Sequence, residues 1–210
     1  MTIKREIRAG IPAEIRADDD GILVTGHAAI FNSEAVIGDM FREVIKPGAF
    51  SKAIKRDDVL FLVNHEGLPL ARTRSGTLKL SEDDKGLHIE TQLDPNDPDV
   101  KALKPKMERG DMDEMSFAFF PVVQEWDDSG EMPLRTIMEA ELMDVSIVNR
   151  PAYEGTDIGL RSLEVSKESL VDHQEQVRKE SNFKATRKRF ELKEYLAVKQ
   201  GKIKPREKGE

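Results

Sequence analysis

The chain has 210 residues, no cysteine and a formal net charge of -7, with 38% hydrophobic and 35% charged residues. Without cysteine there is no disulfide framework, no thiolate zinc site and no cysteine nucleophile, and the simplest redox reading is a reducing compartment. Catalysis would need an oxygen nucleophile or a metal held by His and carboxylates. The length suits one domain of roughly 100–200 residues plus an extension, and the charge content leaves part of the chain solvated. No stretch approaches the roughly 18 consecutive apolar residues of a membrane span, and the opening MTIKREIRAG lacks the apolar centre of a signal peptide. A soluble, intracellular protein is expected.

The charge is unevenly divided. Residues 1–160 hold 19 Lys and Arg against 31 Asp and Glu, whereas residues 161–210 hold 14 against 9. An acidic body with a basic tail predicts two regions with different roles, 1–160 and 161–210. The body reads mostly with period two, as an antiparallel, strand-rich (mostly β or α+β) domain. GILVTGHAAIFNS (21–33) predicts a long strand after the turn DDDG, and Phe41 to Ile45 another. KPGAFSKAIKR turns into a short helix with Phe50, Ala53 and Ile54 on one face. VLFLVNH (59–65) is a central strand. TLKLSEDDKGLHIETQL is a hairpin, with Gly86 placed where a positive φ would be needed. DPNDPDVKALKPKMERG opens a helix that Pro105 would interrupt or kink. MSFAFFPVVQEW, a DDSG turn and the return strand 134–148 follow. Beyond Tyr153 helical periodicity takes over, predicting one or two amphipathic helices with i,i+4 charge pairs and a disordered end after Gly201. TRKRF (186–190) offers a basic patch for nucleic acid, but a solvated helix is the favoured reading. With only 6% aromatic residues and an acidic body, nucleic acid is not an expected partner.

Four histidines can serve acid–base chemistry. His27 and His88 sit in alternating strands and read as ordinary strand residues, and His173 lies in the charged tail. His65 ends an apolar strand just before Glu66 and Gly67, where an imidazole is delivered to the rim of the core. Ser116 heads the apolar strand FAFFPVV, as a cap or as a nucleophile; the latter requires a general base oriented by a third group. Asp144 interrupts the strand LMDVSIV, and a buried carboxylate must be partnered by a His N–H, an Arg or backbone amides. There is no HExxH, no phosphate loop and no GxSxG. The acidic runs 18–20 and 94–99 lack the EF-hand pattern and read as turns. No metal and no cofactor are expected.

The order LFLVNHEG, MSFAFFP, LMDVSIVNRPAY, preceded by GHAAIFN, FREVIKPGAF and SGTLKLSEDDKGL, resembles the prohead maturation serine proteases of tailed bacteriophages over roughly residues 20–155. The resemblance implies a fold similar to the herpesvirus assemblin proteases, an antiparallel β-barrel surrounded by short helices, here with a helical C-terminal extension. It implies Ser116 as nucleophile and His65 as general base. Herpesvirus enzymes carry a second His in a segment like HVALC; DVSIV takes the similar place here, which makes Asp144 the third member, with Glu141 and Glu139 as alternatives. The turn after it, at Asn149 and Arg150, is the implied source of oxyanion donors. The implied activity is cleavage of scaffolding or capsid protein, and of the enzyme itself, inside the prohead in the host cytoplasm. The implied partners are the major capsid protein, the scaffold and a second copy as homodimer. A catalytically idle assembly factor of the same fold is the alternative.

Overall fold

The protein is described by a computed structural model covering residues 4–18, 21–149 and 157–199. The chain divides into two compact units, Met1–Lys167 and Glu168–Glu210. In order, the elements of the first are β1 (Glu6–Asp18), β2 (Gly21–Ile30), β3 (Ala35–Ile37), β4 (Phe41–Ile45), α1 (Ala53–Arg56), β5 (Leu60–Val63), β6 (Glu66–Arg72), β7 (Leu78–Glu82), β8 (Gly86–Leu93), α2 (Pro98–Glu108), β9 (Glu114–Asp127) and β10 (Leu134–Val148). The long helix α3 (Asp157–Lys199) follows and continues into the second unit. No helix among the described residues is long and apolar enough to cross a membrane.

The fold is mixed α+β and rich in strands. The strands run in the order β3-β4-β10-β9-β1-β2-β8-β7, with β5 attached to β10 and β6. Two expectations are corrected here. The end strands β3 and β7 are not paired with each other among the described residues, so hydrogen bonding leaves the sheet open and does not close the expected barrel. Nor is the sheet wholly antiparallel: β10 runs parallel to β4 along residues 134–137 and parallel to β5 along 144–147. The cause is the connection through α1, which carries the chain from β4 back to the start of β5, so that both strands lie in one direction along β10. Bulges between Ile137 and Asp144 separate the two pairings.

The core follows the period-two pattern of β9 and β10. Met115, Phe117 and Phe119, with Ile137, Val145 and Ile147, join Phe50, Phe61, Leu87, Ile89 and Leu93 in one buried cluster. Phe50 stands edge-on to Phe117 at 5.7 Å between ring centroids. The alternate residues Ser116, Ala118, Asp144 and Ser146 therefore face the other side of the sheet, where they are also buried.

α1 is shorter than the sequence suggests, but Phe50 and Ala53 are fully buried as expected. α2 runs through Pro105; the missing N–H there forgoes one bond to the carbonyl of Lys101. Within 94–99, Asp94 accepts from the Asn96 N–H, and Asp97 caps α2 by accepting from the Asp99 N–H at 2.7 Å, while 19–20 fall outside the described residues. In the second unit, α3 carries the i,i+4 pairs Glu175–Lys179 and Arg187–Glu191. The segment expected to be disordered, after Gly201, also lies outside the described residues.

The hairpin β7–β8 forms, but Gly86 is needed for a different reason from the one the sequence suggests. Gly86 is not among the glycines with positive φ; instead a Cβ at this position would sit 1.9 Å from the carbonyl oxygen of Ala29 on the neighbouring β2. A backbone carbonyl held in a sheet cannot yield to that Cβ as a side-chain tip could. Gly86→Ala is expected to lower stability by about 3 kcal/mol, read as a lower urea midpoint with an unchanged slope.

Candidate active site

The site is built where β5 ends beside β9 and β10. Ser116 on β9 lies directly opposite Ser146 on β10, and Asp144 is two residues before Ser146 on the same face. β5 pairs with Asp144 to Ile147 and then turns through Asn64 and His65. Both turn residues have positive φ, 51° and 61°, a conformation that costs a non-glycine residue on the order of 1–3 kcal/mol. The turn is held by β10. The Asn64 N–H donates to the Ile147 carbonyl at 3.0 Å, Asn64 Oδ1 accepts from the Asn149 N–H at 3.3 Å, and the His65 N–H donates to Ser146 Oγ at 3.2 Å.

This turn places the imidazole between the hydroxyl and the carboxylate. His65 Nε2 is 2.6 Å from Ser116 Oγ, and Nδ1 is 2.5 Å from Asp144 Oδ1. A carboxylate only accepts, so the Nδ1 partner fixes the proton on Nδ1 and leaves Nε2 with a free lone pair facing the serine. Ser116 Oγ also lies 2.9 Å from the carbonyl oxygen of Arg8, a second acceptor for its single proton. Asp144 is 3% exposed and fully engaged: Ser146 Oγ donates to Oδ1 at 2.9 Å, and Arg5 Nη2 donates to Oδ2 at 2.8 Å. The two partners foreseen for this carboxylate, a His and an Arg, are thus both present. A hydroxyl, an imidazole and a carboxylate linked in this order have the connectivity used for acyl transfer by serine hydrolases.

The other candidates lie elsewhere. Glu141 pairs with Arg56 at 2.9 Å and Glu139 with Lys52 at 2.6 Å. His27 binds Asp83, and His88 meets Thr25 Oγ1 at 3.1 Å. The Asn149 N–H is engaged by Asn64, and Arg150 is outside the described residues.

Sequence reasoning missed Ser146, Arg5 and the Arg8 carbonyl. Ser146 was legible as the same-face neighbour of Asp144 in DVSIV. Arg8 lies in β1 and Arg5 immediately precedes it, and the strand's alternation Ile7, Ala9, Ile11, Ala13, Ile15 was obscured by Gly10 and Pro12. Next to the site, β1 enters a buried charge cluster. Arg135, with 0% exposure, donates from Nη2 to Glu6 Oε1 at 2.8 Å and from Nη1 to Glu43 Oε2 at 3.0 Å, while Arg8 binds Glu6 at 2.7 Å and Glu43 at 2.6 Å. Burial alone would raise the Glu6 carboxyl, but Arg8 and Arg135 outweigh it and bring it down to about 2.

Comparison with known proteins agrees with the resemblance read from the motifs. The sequence profile of the family described as "Caudovirus prohead serine protease" matches residues 12–171, about three quarters of the chain. The chain belongs to this family of phage serine proteases. It is similar to the prohead protease of Enterobacteria phage HK97, with 31% identity over 153 residues, and covers 69% of this chain and 63% of that relative's length. Among solved structures, the bacteriophage T4 capsid assembly protease aligns with a TM-score of 0.49 and 14% identity, over 69% of this chain and 98% of that one.

Proposed function

We propose that this chain is a serine endopeptidase that acts inside the prohead, cleaving capsid or scaffolding protein and its own tail, with Ser116 as nucleophile, His65 as general base and Asp144 as the orienting carboxylate. The observation that carries this reading is the pair of hydrogen bonds His65 makes, 2.6 Å to Ser116 Oγ and 2.5 Å to Asp144 Oδ1. Family membership supports the reaction class.

The roles follow from the protons. As Ser116 Oγ attacks a peptide carbonyl, His65 Nε2 takes its proton, and the imidazolium that forms is held between Oγ and the Asp144 carboxylate. The same nitrogen returns the proton to the leaving amine, and water repeats the cycle to release the acyl group. The tetrahedral oxygen needs N–H donors. Asn149 and Arg150 are the proposed source; the Asn149 amide must exchange Asn64 Oδ1 for the substrate oxygen. Exposed Phe183, Phe190 and Leu192 on α3 support a tail that binds scaffold or capsid lining.

The test is co-expression of the chain, wild type and Ser116→Ala, with its cognate capsid and scaffolding proteins, followed by intact mass of every product. Truncated capsid, scaffold or tail fragments are expected only with Ser116 present. Identical mass lists under assembling conditions would favour the idle assembly factor of the same fold instead.

A further inference from the structure

Arg5, immediately before β1, and the first residues of that strand reach the site from a direction the reaction scheme does not require. Arg5 donates from Nη2 to Asp144 Oδ2 at 2.8 Å, and the oxygen it binds is not the one that faces His65. A carboxylate this deeply buried must have both oxygens satisfied, and a charged donor fixed on Oδ2 holds the plane of the carboxylate with its other oxygen towards the imidazole. Arg5 is itself held in place by the strand that follows it. Glu6 and Arg8 are locked in the buried cluster with Arg135 and Glu43. Between them, the Ile7 N–H donates to Ser162 Oγ at 2.9 Å, and that hydroxyl lies 3.2 Å from the Ile7 carbonyl oxygen. Three residues after Arg5, the Arg8 carbonyl meets Ser116 Oγ. One short, pinned stretch therefore touches the hydroxyl at one end of the hydrogen-bonded chain and the carboxylate at the other. These residues precede the segment matched to the family, which begins at residue 12.

We infer that Arg5 is a positioning residue for proteolysis: its guanidinium holds Asp144 Oδ2, so that Oδ1 faces Nδ1 of His65 and keeps the ring aimed at Ser116. The inference rests on the proposed roles of Ser116, His65 and Asp144. In this role Arg5 acts only through Asp144. Its effect falls on the rate of the chemical step and not on binding.

The experiment uses the full chain and a fluorophosphonate probe, which needs no knowledge of the natural cleavage site. Ser116 Oγ forms a bond to phosphorus, fluoride leaves with the P–F electron pair, and the serine proton passes to His65. The maximal labelling rate and the half-saturating probe concentration are measured for wild type, Arg5→Ala and Arg5→Lys, and the labelled residue is located by peptide mass. Arg5→Ala is expected to lower the maximal rate about tenfold or more with little change in the half-saturating concentration. Arg5→Lys should restore most of the rate, and so should free guanidinium ion added to Arg5→Ala, since Arg5 is about one-third exposed. If Arg5→Ala fails to fold, Arg5→Gln, which retains the stem without the charge, must show the same slowing. A folded, uncharged variant labelled at the wild-type rate would overturn the role of Arg5. Slowing that neither lysine nor guanidinium relieves would overturn it too, since the loss would then be one of packing. Absence of labelling at Ser116 in the wild type would overturn the nucleophile assignment, and this proposal with it.

Discussion

Asp144→Asn should reduce peptide-bond cleavage by about ten-thousandfold, as replacing a triad carboxylate by its amide does, while the chain stays folded. The size of the effect follows from what surrounds the carboxylate. Arg5 only donates, so the atom facing it must remain an oxygen. The asparagine is therefore forced to turn its NH2 group towards His65 Nδ1. An imidazole that accepts at Nδ1 carries its proton on Nε2, which can no longer receive the proton of Ser116. Turnover of a peptide spanning a mapped cleavage site measures the loss, and circular dichroism checks the fold. A variant within tenfold of wild type would remove Asp144 from the mechanism.

The largest stability effect is expected at Arg135. Its guanidinium has no exposure and binds Glu6, Glu43 and, from Nε at 2.6 Å, Gln124 Oε1. Two arginines face two glutamates in this cluster, so it is neutral as a whole. Arg135→Met leaves two buried carboxylates sharing Arg8 alone, and a broken buried pair costs about 3–5 kcal/mol. Arg135→Met with Glu43→Gln restores the charge balance and should recover part of that loss. Neutral pH is where the intact cluster contributes most. Because the folded Glu6 carboxyl lies below its ordinary value near 4.5, its contribution is full above that pH and is lost as pH falls towards about 2. Urea unfolding at pH 7 and pH 3 should therefore show the wild type losing stability towards acid, with a smaller loss in Arg135→Met. Equal pH dependence in both would mean that Glu6 is not held down by Arg135.

What the sequence disclosed depended on the range over which each signal acts. β4 and β10 could be read to the residue, and the β7–β8 hairpin by its span, because period-two patterns and turn residues are local. The parallel pairing of β10 with β4 and β5 left no such mark, since nothing in FREVI or LFLV tells a strand which way its neighbour runs. His65, Ser116 and Asp144 stood out because each is a polar residue at the end or in the middle of an apolar strand. Arg5, Glu6 and Arg8 did not, because charges near a chain start look like solvated ends until the strand that carries them is seen to be buried. Gly86 was legible as a constrained position but not for its cause, which is the approach of a strand more than fifty residues earlier.

The mixed sheet also sets when Ser116, His65 and Asp144 can first be brought together. His65 is 51 residues from Ser116 and 79 from Asp144, so no local folding event joins them. β10 is the last of the described strands in chain order, and it docks along β9 on one side and along β4 and β5 on the other. A growing chain that ends before β10 holds a hydroxyl and an imidazole on strands with nothing between them to set their spacing. Lacking Asp144 as well, such a fragment cannot assemble the hydrogen-bonded series of hydroxyl, imidazole and carboxylate. The three side chains can come together only once β10 has been made and has inserted between β9 and the β4–β5 edge.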